Sequence, residues 1–172
     1  MRQFANYLVI IGSVLVCLLL LPIRLPGMNL LGIAPHWTVI WVVSWSVKRK
    51  VFSGAIAGLT LGLLQDAMTG NSPSHVFPLI VVGVFTALLQ KERYLREDFI
   101  SVALIAFVMV IIAESITAFQ YLLQGIRPAE NIWDHYQNII LISAIISSLW
   151  APVVYYPLNL WWQQIKNSER SL

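Results

Sequence analysis

Six apolar runs separated by short polar turns make up almost the whole chain. They cover residues 4–21, 31–47, 51–67, 75–90, 99–123 and 137–161. Runs of roughly 17–25 apolar residues match the thickness of a bilayer core when helical. In lipid every backbone polar group must be satisfied within the span, so such runs fold as helices. The pattern therefore predicts an all-α membrane protein, a single domain over residues 1–172 built as a six-transmembrane-helix bundle. Breakers mark the turns: Pro22, Pro26 and Gly27 after the first run, and Gly70, Asn71 and Pro73 after the third. Pro35 and Pro78 fall in first turns, whereas Pro152 and Pro157 fall inside the sixth run and predict a kink there.

The third run carries the densest pattern. Gly54, Gly58, Gly62, Asp66 and Gly70 recur every fourth residue, which places the first four on one side of a helix. Helices in lipid associate where small residues let backbones approach, so Gly54, Gly58 and Gly62 read as a packing seam. Ser143, Ser147 and Ala151 form a second small-residue stripe at the same spacing, a partner to consider for the seam. Trp37, Trp41 and Trp45 make an aromatic stripe on the second run. It is read either as a lipid-facing belt or as a contact face for another membrane protein.

Composition narrows the class. Of 172 residues, 58% are hydrophobic and 11% charged, against about 25% charged in soluble domains. Eleven Lys and Arg set a net charge of +3, and their positions say more than their sum. With the N-terminus in the cytoplasm, nine fall inside (Arg2, Lys48, Arg49, Lys50, Lys91, Arg93, Arg96, Lys166 and Arg170) and two outside (Arg24 and Arg127). This positive-inside bias predicts a multi-pass protein with both termini cytoplasmic, its basic loops touching anionic lipid rather than nucleic acid. Cys17 is the single cysteine, so no disulfide within the chain is expected. No A-x-A-like site follows the first run, which reads as an uncleaved span.

Candidate chemistry is sparse. Asp66 and Glu114 are the carboxylates inside runs, each 15 residues from the start of its run. At 1.5 Å per residue both lie about 22 Å from the cytoplasmic side. Gln120 follows Glu114 on the outer part of its run, and His36, His75 and His135 fall on the same outer side. Asp66, Glu114 and Gln120 are expected to be buried polar groups, either locking the bundle or lining an outward-opening pocket. The histidines lack metal-ligand spacing. No phosphate loop, nucleophile elbow, H-E-x-x-H or Cys–His pairing is present, so neither catalysis nor a cofactor is expected.

Gly58-x-x-x-Gly62-Leu63-Leu64-x-Asp66, then Gly70 and Pro73, then an apolar run holding Gly83, resembles the bacterial rod shape-determining protein MreD family. The likeness is strongest over residues 55–90, and layout agrees elsewhere. Ser74 and His75 stand where that family often has Leu-Gly. The resemblance implies a non-enzymatic subunit of the cell-elongation complex in the bacterial inner membrane. Such a subunit binds the bitopic protein MreC and, through it, the MreB cytoskeleton and peptidoglycan synthases. It also implies a fold similar to the S subunits of energy-coupling-factor transporters. A vitamin-binding S subunit is thus the rival reading, which fold analogy alone does not exclude.

Overall fold

The computed structural model describes residues 2–23, 32–70, 73–91, 99–125 and 129–170. All six elements are helices: α1 (Arg2–Leu20), α2 (Trp37–Ser46), α3 (Val51–Thr69), α4 (Val76–Lys91), α5 (Phe99–Leu123) and α6 (Ala129–Arg170). Three stretches are long and apolar enough to cross a membrane: α3, α5 and Ile139–Gln164 of α6. Leu8–Leu20, α2 and Val76–Leu89 are apolar but shorter. The loop at 92–98, with Arg24 and Arg127, lies outside the described residues.

Boundaries differ from the sequence reading at two elements. The apolar pattern predicts a second helix over 31–47, but α2 starts at Trp37. Pro35 restricts the residue before it away from helical angles, and Gly32 adopts a left-handed φ of 81°. Ten residues of helix rise only about 15 Å, half a bilayer core. The sixth run, predicted at 137–161 with a polar segment before it and a frayed tail after, is helical from Ala129 to Arg170. The helix continues through Pro152 and Pro157. Each proline removes one backbone bond and the rest of the ladder carries on.

Burial explains the layout. α2 is buried nearly all round, from Trp37 to Ser44 and again at Ser46, and it packs against each of the other five helices. An apolar helix without a polar face suits the centre of a bundle. The helices around it form two tight pairs, α3 with α4 and α5 with α6, while α1 packs on α2. Ser143, Ser147, Ala151 and Tyr155 are the buried stripe of α6, facing α5 and α2 rather than the glycines of α3.

The glycine seam meets α4. Gly54, Gly58 and Gly62 are buried. A methyl group on Gly58 would lie 2.5 Å from the Leu79 carbonyl carbon and 2.7 Å from the Ile80 nitrogen. One on Gly62 would lie 2.5 Å from Val76 Cα. Gly54 faces Gly83 reciprocally, each blocked by the other's backbone carbonyl. The obstacles are backbone atoms, which cannot rotate away. Gly58→Ala is therefore expected to destabilise the bundle by about 1–3 kcal/mol, and Gly58→Leu by more. A methyl group on Gly12 of α1 would meet nothing within 4 Å, so Gly12→Ala is the silent control. Thermal unfolding in detergent checks the order; an unchanged melting temperature for Gly58→Leu would sink the seam.

Candidate functional site

A carboxylate carried into an apolar bundle needs a partner, because desolvation without one costs several kcal/mol. Asp66 and Glu114 are each the sixteenth residue of their helix, α3 and α5, and each is met by a histidine. Asp66 lies one helical turn beyond Gly62, where the seam opens into the α3–α4 turn. Its Oδ2 accepts a hydrogen bond from Ser74 Oγ at 2.6 Å. Its Oδ1 accepts the His75 backbone N–H at 2.8 Å and pairs with His75 Nδ1, also at 2.8 Å. Ser74 Oγ in turn accepts the Val76 N–H at 3.2 Å. Two orphan donors at the start of α4 are thereby satisfied. Asp66 caps α4 from the end of α3, and Gly70 ends α3 in a left-handed cap with φ 63°.

The second pair is built on the non-helical entry to α2. Irregular backbone at membrane depth is tolerated where protein covers and satisfies it. The His36 N–H does this by donating to Ser147 Oγ of α6 at 2.9 Å. His36 Nδ1 lies 3.2 Å from Thr38 Oγ1. Nε2 faces Glu114 Oε1 at 3.5 Å, an electrostatic pair longer than a hydrogen bond. The two pairs share one end of the bundle, where α3 ends and α2 and α4 begin. One pair ties α3 to the start of α4, and the other ties the entry of α2 to α5 and α6. Both pairs can hold their helices in register.

A family model described as rod shape-determining protein MreD matches residues 1–165 of the chain. The chain belongs to the MreD family. No significant match is found among curated proteins or among solved structures. The likeness to transporter S subunits therefore rests on the family resemblance alone. In this MreD-family chain the α3 motif residues Gly58, Gly62 and Asp66 lie at the α3–α4 contact. Ser74 and His75 are the groups that hold Asp66.

The tryptophans need correction. Trp37 and Trp41 are 5% and 4% exposed, so the stripe is packed among helices and is not an open lipid-facing belt; both rings line part of a groove between α1, α2 and α6. Trp37 packs edge-on against Trp150 of α6, and Trp41 stacks on the half-buried Trp45. Trp41 Nε1 donates to Ser13 Oγ of α1 at 3.1 Å. Spacing placed the three rings on one stripe but could not say what the stripe faces. Asp66 and Glu114 are partly buried, at 23% and 15% side-chain exposure. Gln120 Oε1 is buried without a hydrogen bond, as is Gln65 Oε1 beside Asp66. Neither Arg24 nor Arg127, the two basic residues placed on the outer side, belongs to the described residues. Sequence reasoning counted His36 and His75 but left them unpaired, and it read Ser147 as packing only. The available signal was depth: histidines at the edges of runs, at the level of the two acids.

Asp66→Ala should remove the acceptor of three hydrogen bonds and leave the α4 start unsatisfied, at a cost of about 1–3 kcal/mol. Asp66→Asn keeps one acceptor and is expected to fall between. Glu114→Gln keeps size at a 3.5 Å contact and should shift stability little. Melting temperatures of the three variants test this order. A harmful Glu114→Gln beside a silent Asp66→Ala would reverse it.

Proposed function

We propose that this rod shape-determining membrane protein acts as a non-enzymatic scaffold of the elongation complex. On this reading it crosses the inner membrane six times, keeps both termini in the cytoplasm and binds an MreC-like bitopic protein. Through that partner it serves the MreB-like cytoskeleton and lateral peptidoglycan synthesis. The observation that carries the reading is the family match over residues 1–165. It is supported by how the polar groups are used: Asp66 and Glu114 are engaged by His75 and His36, as in a bundle locked for packing. The nine-to-two basic asymmetry supports the orientation.

Deletion in a rod-shaped host is expected to round the cells. The wild-type chain should restore rods and retain an MreC-like protein on purification; Gly58→Leu should do neither. Normal rods with lost vitamin uptake would instead favour the transporter-subunit reading. Orientation is checked separately. With Cys17 replaced, an impermeant thiol reagent should label Ser72→Cys on whole cells and spare Ser171→Cys, and the opposite pattern would refute the orientation.

A further inference from the structure

At the other end of α2 from the histidine cluster, the Lys48–Lys50 turn holds a cation in an unusual setting. The Arg49 guanidinium carbon lies 3.3 Å from the centre of the Trp45 ring and 4.0 Å from that of Trp162. Half-burial pulls the Arg49 pKa down to about 10. No carboxylate pairs with it among the described residues. Stacking engages the faces of a guanidinium and leaves its in-plane N–H donors for an acceptor. Beside it, Lys48 Nζ donates to Asn159 Oδ1 of α6 at 2.9 Å. Trp162 and Ser44 also line this region, and their indole Nε1 and hydroxyl are buried with no hydrogen-bond partner among the described residues. These groups line a recess of about 20 Å³. That is room for one oxygen atom and not for a whole headgroup.

Leu158 of α6 lines this recess and also a second, larger space. The latter is a groove of about 410 Å³ running between α1, α2 and α6, lined by Gly12, Cys17, Trp41, Val154 and Leu158 among others. Its size falls within the roughly 300–1,000 Å³ of small-molecule sites. Its wall is almost wholly apolar. Trp41 and Trp37 precede Arg49 on the chain by eight and twelve residues. At helical rise that is about 12 and 18 Å, the depth of one leaflet.

We propose that the α1–α2–α6 groove and the Arg49 recess form one binding site for an anionic phospholipid. An acyl chain lies against Gly12, Trp41 and Leu158, and a phosphate oxygen reaches Arg49. Charge complementarity selects the occupant. Apolar contact does not discriminate among acyl chains, whereas a half-buried arginine with no carboxylate on it among the described residues takes a negative headgroup, as basic pockets between spans do. Placing the lipid in the cytoplasmic leaflet rests on the orientation proposed above.

Native mass spectrometry of the full chain tests the site in micelles doped with phosphatidylglycerol or phosphatidylcholine. One phosphatidylglycerol adduct is expected at about fivefold lower lipid concentration than for phosphatidylcholine. Arg49→Gln should erase that preference, and Arg49→Lys should keep part of it. Gly12→Phe fills the groove, since a Cβ on Gly12 meets nothing within 4 Å; it should remove both adducts while leaving the melting temperature unchanged. An unaltered preference in Arg49→Gln, or unaltered adducts in Gly12→Phe, overturns the proposal. So does loss of a co-purifying membrane protein from Gly12→Phe with the adducts intact, which would assign the groove to a partner's helix. The readout needs neither rod complex nor orientation, so its failure is distinct from theirs.

Discussion

Backbone contact across the α3–α4 seam is the constraint on which the rest of the bundle depends. Lipid gives no hydrophobic reward for bringing helices together, so close packing and polar contacts must do it. At Gly54, Gly58 and Gly62 the two backbones come close enough that no side chain fits between them. The next turn of α3 carries Asp66 to the start of α4, where it accepts the His75 N–H and the Ser74 hydroxyl. Packing and capping are thus one device: the approach that the glycines allow puts the carboxylate within reach of α4.

Around that pair the short central helix sets the geometry. α2 spans half a bilayer core and touches all five other helices. Its two ends are finished in opposite ways. At the start, the non-helical entry is satisfied by Ser147 and His36 meets Glu114. At the finish, Arg49 is covered by tryptophan rings and Lys48 reaches Asn159 of α6. Both ends use α6, which explains why that helix presents small or hydroxyl-bearing residues at Ser143, Ser147 and Ala151. The groove beside α1 follows from the same arrangement, since α1 packs on α2 and leaves space toward α6.

Much of this was legible in the residues. The apolar runs had to be helices, because an unpaired backbone has no water to bond in lipid. Glycine spacing marked the seam, and the depth of Asp66 and Glu114 marked one end of the bundle as polar. The short α2 was not legible: the apolar run predicts a helix over 31–47, whereas the local preferences at Pro35 and Gly32 outweigh apolar composition and delay the helix to Trp37. The extent of α6 was hidden because its ends are polar, and polar residues read as loops when only hydropathy is consulted.

Tertiary structure alone decided which face meets what. The seam could have faced α6, whose serine and alanine stripe has the same spacing, and it faces α4. Trp37 and Trp41 could have lain open to lipid, and they are packed among helices, with one side on the α1–α2–α6 groove. The physical reason is the same in both cases. Lipid and a protein core are equally apolar, so one residue type suits either, and periodicity fixes the stripe without fixing its neighbour. The histidine partners of Asp66 and Glu114 were undecided for a related reason. They come from segments far off in the chain or across a turn, and only the close approach of helices brings them to hydrogen-bonding or ion-pairing distance.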